Sequence, residues 1–165
     1  MSSFLPNIIV AQAIKGTDQE KHKRFKELPD MVARGLDRLY NYQHSDGGWG
    51  WWEHDDTHPF MTAYVVYGLS MARQADFPVR EAVFQNGVNA LRKQIDANEF
   101  NGEPLNFTTR LYMAYALAAA GDTEPEPAAS MYHGLINGET ELNNYGRALL
   151  ALTLHRLGRE ESAKE

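Results

Sequence analysis

The chain has 165 residues, 43% of them hydrophobic and 11% aromatic, which is enough apolar material for a packed core. A net charge of −6 with no basic stripe argues against nucleic acid as a partner. Without cysteine these residues hold no disulfide, thiolate nucleophile or cysteine metal site, and no apolar run reaches the roughly 18 residues that span a bilayer.

Met1 to Ile14 lacks the basic start of a secretory signal and carries Pro6, Asn7 and Gln12, so no targeting signal is expected there. Segment one, Ser3 to Ile14, places Leu5, Ile8, Ile9, Val10, Ala13 and Ile14 around most of its circumference. A polar connector follows, in which Lys21, Lys23, Arg24 and Lys26 mix with Asp18, Glu20 and Glu27. Segment two, Leu28 to Gln43, has Pro29 in its first turn and an apolar stripe of Leu28, Val32, Leu36, Leu39 and Tyr40. Its opposite face is charged, as on an outer, amphipathic helix. Segment three, Phe60 to Arg73, has no charged face until its end, which predicts burial; Thr57 or His58 can cap it.

Segment four, Val79 to Ala97, returns to a stripe of Val79, Val83, Gly87, Leu91 and Ile95. Segment five, Phe107 to Ala120, is apolar, with Gly121 placed to end it. Segment six, Pro127 to Asn137, is short and amphipathic through Met131, Leu135 and Ile136. Segment seven, Leu142 to Leu157, is apolar and followed by Gly158. No strand pattern competes with the helical one.

The apolar segments resemble one another at a spacing of roughly 40 to 50 residues, that of a helical-hairpin repeat. Each hairpin would bury one helix and leave its partner outside. The prediction is an all-α fold, an α/α toroid of two concentric layers. Seven helices make three and a half hairpins, whereas a closed ring of six hairpins needs roughly 250 to 300 residues. The expectation is an incomplete ring over residues 1–165, part of a larger toroid domain. Alone, such a piece would either curl into a smaller bundle or dimerise through the apolar helix faces left at its edges.

The joint between segments two and three reads Gln43-His44-Ser45-Asp46-Gly47-Gly48-Trp49-Gly50-Trp51-Trp52. Gly47, Gly48 and Gly50 are expected to supply backbone angles closed to other residues. Trp49 would fill the gap between layers, and Gln43 would satisfy backbone groups at the helix end. Three tryptophans in four residues cannot all point inward. Trp51 and Trp52 are therefore candidates for contact with a neighbouring domain, packing on the chain's own helices being the alternative.

This joint resembles the Gln…Gly-x-Trp repeats of α/α-toroid proteins, which include squalene and hopene cyclases, protein prenyltransferases and the thioester domain of the α2-macroglobulin and complement family. MSSFLPNIIVAQAI is similar to the segment after the Cys-x-Glu-Gln thioester motif of bacterial α2-macroglobulins, and HPFMTAYVVYGLSMAR to that family's second inner helix. The likeness covers residues 1–75 closely and the remainder by pattern. It implies a terpenoid cyclase-like fold in a protease-trapping inhibitor of the periplasm or cell surface. The implied partners are other domains of the parent chain and, through them, target proteases. Any thioester cysteine and glutamine would lie before Met1. The thioester-activating histidine of complement-type members has no counterpart in DANEFNGEPLN, residues 96–106. No covalent chemistry therefore carries over to these residues.

Other candidate chemistry is thin. Glu53-His54-Asp55-Asp56-Thr57-His58 puts two histidines four apart beside carboxylates, a metal-ligand pattern on a helix but a polar turn before Pro59. The same run echoes the Asp-x-Asp-Asp acid of terpene cyclases, which needs a protonated carboxyl in a deep apolar cavity. Tyr64, Tyr67, Tyr112 and Tyr115 could stabilise a carbocation or simply pack. His133 and His155 stand without partners at ligand spacing. The sequence thus predicts a scaffold with no catalytic residue, no metal and no cofactor. The alternatives are a stand-alone enzyme acting on polyprenyl or terpenoid substrates and a helical-repeat binding module.

Overall fold

The computed structural model describes residues 4–18, 22, 25–123, 126–138 and 141–164, with backbone alone at 126 and 127. Met1 to Ser3, most of the basic cluster with Glu20, and the first residue of segment six in its side chain thus lie outside the described residues. Eight helices are described: α1 (Phe4–Ile14), α2 (Leu28–Asn41), α3 (Pro59–Gln74), α4 (Glu81–Ala97), α5 (Phe107–Ala119), α6 (Glu126–Ile136), α7 (Asn144–Arg156) and α8 (Glu160–Lys164). Helix α8 is one short turn that the sequence pattern did not mark. Two-residue strands β1 (Glu99–Phe100) and β2 (Glu103–Pro104) form a hairpin between α4 and α5, where no strand was expected. Asn98, Asn101 and Gly102 all adopt positive φ there, and that turn chemistry, not any alternation of apolar residues, makes the hairpin.

Helices α1, α3, α5 and α7 pack side by side as an inner row, and α2, α4 and α6 lie outside it. This is the layered α/α-toroid arrangement. Helix α3 is the most enclosed: Thr62, Ala63, Val65, Val66, Leu69 and Ala72 are buried on several sides. Its buried Ser70 hydroxyl donates to the Val66 carbonyl at 2.7 Å, and Thr153 of α7 does likewise to Leu149. In the outer helix α2 only the stripe of Leu28, Val32, Leu36 and Leu39 is buried.

The end members of the inner row depart from the all-round burial their composition suggests. In α1 only Phe4 and Ile8 are buried, while Ile9 is 49% exposed. In α7 Leu149, Leu150 and Leu154 face inward, whereas Leu152 is 50% exposed and Tyr145 also faces solvent. Among the described residues each has an inner-row neighbour on one flank only, so apolar side chains of the other flank stay open to solvent, although α8 also packs on α7. Ile136 of α6 is likewise exposed; the buried positions of that helix are Ala128 and Met131.

Helix ends follow the sequence signals closely. Gly121 takes φ +89°, with its N–H to the Ala118 carbonyl and that of Asp122 to Leu117. Gly158 repeats the pattern at α7 through His155 and Leu154. Asp76 does the same work at α3 without being glycine (φ 62°), and its carboxylate pairs with Lys15 of α1.

Candidate functional site

The joint between α2 and α3 is built around Trp49, which is 0% exposed. Its indole N–H donates to the Leu39 carbonyl at 2.8 Å, its backbone N–H donates to the Thr62 hydroxyl at 3.1 Å, and its carbonyl accepts the His58 N–H at 2.9 Å. Gly87 of α4 lies against the ring: a Cβ there would stand 2.7 Å from the indole. Trp49 therefore ties α2, α3 and α4 together.

The partners differ from expectation in two ways. Gln43 does not serve the end of α2. Its Nε2 donates to the Gly47 carbonyl at 2.8 Å and to the Val83 carbonyl of α4 at 2.9 Å, so it staples the loop to the next outer helix. The carbonyl near the end of α2 is taken by Trp49 instead. Among the three joint glycines, only Gly47 has positive φ (+91°). Gly48 and Gly50 are required by crowding, because a Cβ on Gly48 would run into Thr57 and one on Gly50 into the Asp55 carboxylate. Backbone freedom bears on Gly47 alone, whereas close approach bears on all three, a Cβ on Gly47 standing 2.6 Å from the Asn86 carbonyl oxygen.

Beyond the turn, a polar network closes residues 44–58 on themselves. Asp46 accepts from the Gly48 N–H at 3.0 Å and from the Thr57 hydroxyl at 2.9 Å. With that hydroxyl proton committed, His44 Nδ1, 2.8 Å from Thr57 Oγ1, must be the donor. His44 Nε2 faces Asp55 Oδ1 at 3.8 Å, and Asp55 Oδ2 accepts the Trp51 N–H at 2.8 Å. Sequence reading gave His44 and Thr62 no role, took Thr57 only as a possible cap of α3 and Gly87 only as part of the α4 stripe, since what they do in the joint arises through long-range packing.

The acidic run is a surface loop. Glu53, His54 and Asp56 are exposed, and among the described residues no group of three His, Asp or Glu has metal-binding geometry. A pocket of about 310 Å³ opens at the far end of α3, lined by Ile14, Phe25, Leu28 and Phe77, with none of those acids in it. A deep apolar cavity around Glu53 or Asp56, the feature the polyprenyl alternative calls for, is thus not what surrounds them. The tyrosines pack in a partly covered cluster: Tyr67 lies 5.3 Å from Tyr115, and Phe60 stacks on Tyr112 at 5.2 Å. Burial, reinforced by Tyr115, pushes the Tyr67 hydroxyl up to about 12 and raises that of Tyr112 as well.

His58 caps α3, its Nδ1 accepting the Phe60 N–H at 3.2 Å. Burial lowers its pKa below the ordinary 6.5, partly opposed by Asp55. The unfolded chain thus takes up this proton before the folded one does. The stabilisation it contributes is complete above about pH 6.5 and drains away as pH falls through the lower folded value. His58→Asn keeps a capping acceptor but does not titrate. Between about pH 7 and about pH 5 the Tm of the unaltered chain should fall further than that of the variant; parallel Tm curves would assign the acid sensitivity elsewhere.

A row of buried helices shielded by striped ones, with Gln, Gly and Trp at the turn between them, defines an α/α-toroid domain. The family described as "A-macroglobulin TED domain" matches residues 1–106, which take in α1 through α4 and the joint, and the chain belongs to that family. The chain is 41% identical over 97 residues to an Alpha-2-macroglobulin of Thermotoga maritima, covering 59% of this chain and 6% of that protein. It is 24% identical over 102 residues to Thioester-containing protein 1 (allele S3) of Anopheles gambiae, covering 61% of this chain and 8% of the relative. The native Escherichia coli alpha-2-macroglobulin has a similar fold, with a TM-score of 0.73 at 19% identity over 99% of this chain and 10% of that one. The chain thus spans less than a tenth of the length of the curated relatives named here.

Proposed function

We propose that residues 1–165 are a non-catalytic scaffold, part of the thioester-type domain of a bacterial α2-macroglobulin-like protein that traps proteases in the periplasm or at the cell surface. The observation that carries this reading is the family match over residues 1–106, together with a layered fold aligning over almost the whole chain to a bacterial alpha-2-macroglobulin. In this role the joint holds the inner and outer layers in register. The open flanks of α1 and α7 receive the rest of the ring, or a second copy when the chain is alone. Trp51 and Trp52 face a neighbouring domain of the same protein.

Trapping has a distinctive readout. A protease inside a cage keeps cleaving small chromogenic amides but loses access to large protein substrates. The full-length gene product containing this sequence should impose that pattern on trypsin, and a Trp49→Ala version should impose it much less. Unchanged access of trypsin to a large substrate after incubation with the full-length product would overturn the proposal.

A further inference from the structure

The joint leaves an aromatic face edged by carboxylates at one end of the inner layer. Trp51 is 55% exposed and Trp52 75%, yet the loop that carries them is held in place by the Asp55 bond to the Trp51 N–H. The Trp51 ring meets His58 edge-on at 5.7 Å, and His58 meets Phe100 at 4.7 Å. A continuous ladder of rings thus runs from the joint to the β1–β2 hairpin. Phe100 pairs in register with Glu103, so both lie on the same face of that hairpin.

Apart from its histidines, the charged residues of the joint loop and of the hairpin are all acidic. Glu53 and Asp56 beside the tryptophans are exposed, as is Glu103. The sequence has no lysine or arginine between Arg38 and Arg73, and none between Lys93 and Arg110. Among the described residues no ion pair reaches Glu53, Asp56 or Glu103. Burial holds the His58 pKa down, so it adds no cation near neutral pH. Exposed indoles rimmed by unpaired carboxylates are suited to guanidinium groups, which stack on an aromatic face and fork onto a carboxylate together. The same negative rim disfavours an anionic lipid surface, and a purely aliphatic partner would leave the carboxylates facing nothing.

We infer that this face docks an arginine-bearing segment of a neighbouring domain, with guanidinium over Trp52 or Trp51 and paired to Glu53 or Asp56. The inference rests on the scaffold reading and names the chemistry of the scaffold's neighbour. Its test uses the 165-residue chain and three peptides: acetyl-Gly-Arg-Gly-Arg-Gly-amide, and the same peptide with leucine or glutamate replacing arginine. The indole N–H resonances of Trp51 and Trp52 should shift with the arginine peptide alone, while that of buried Trp49 stays in place and reports an intact fold. Raising the salt should weaken the effect, and Glu53→Gln/Asp56→Asn should weaken it about fivefold. Glu103→Gln, on the separate hairpin, gives a smaller loss and guards against a collapsed loop in the double variant. Equal shifts with the leucine peptide, or arginine-induced shifts indifferent to removal of the carboxylates, would overturn the inference. That failure, with protease trapping intact in the full-length product, removes the basic partner and leaves the scaffold; binding here without trapping does the reverse.

Discussion

Trp49→Ala should lower the Tm of the chain by on the order of 10 °C. Removing a fully buried indole costs about 3–5 kcal/mol through lost transfer energy and the cavity left behind. At this chain length one kcal/mol moves Tm by roughly 2–4 °C. The Leu39 carbonyl also loses the donor that satisfied it at 2.8 Å. Trp49→Phe separates the two effects, since it keeps most of the ring and drops the N–H. Trp52→Ala is the control on a neighbouring, exposed indole and should change stability by less than about 0.5 kcal/mol, while Trp51→Ala also loses its edge-on contact with His58 and should cost about 1 kcal/mol. Thermal melts followed by circular dichroism compare all four. If Trp49→Ala melts with Trp52→Ala, the indole does not bind the layers together.

The legible and illegible parts of the fold divide by the distance over which each feature is decided. Burial of α3 and α5 and the striped exposure of α2 could be read from sequence, because helical spacing records which way a face points. Gly121 and Gly158 could be read because a helix end is settled within a few residues. The exposed flanks of α1 and α7 could not be read from their own composition, since Ile9 and Leu152 are as apolar as their buried neighbours. What differs is whether another helix stands beside them. The staple from Gln43 to Val83, forty residues on, belongs to the same class. So does the seat that Gly87 offers Trp49. In the joint itself the residue types were informative, but the reason for two of the glycines was not. Crowding by Thr57 and Asp55 arises only once the loop has folded back on itself.

Gly47 and Gly121 allow backbone conformation to be separated from close packing. Their φ angles are nearly equal, +91° and +89°, so alanine meets a similar conformational penalty at each, about 1 kcal/mol. Their surroundings differ. A Cβ on Gly121 meets nothing within 4 Å, whereas one on Gly47 would stand 2.6 Å from the Asn86 carbonyl oxygen. That oxygen belongs to the backbone of α4 and cannot turn aside as a side chain would. Helix α4 is also held close by the Gln43 bond to Val83, one turn earlier on the same helix. Relief would require separating the loop from α4, which stretches the staple and opens space beside Trp49. Overpacking of this kind adds about 1–3 kcal/mol. Gly47→Ala should therefore lower the urea midpoint two to four times as far as Gly121→Ala, at unchanged slope (roughly 2–4 against about 1 kcal/mol). Equal losses at the two positions would mean that the angle alone demands glycine and that α4 does not press on the joint.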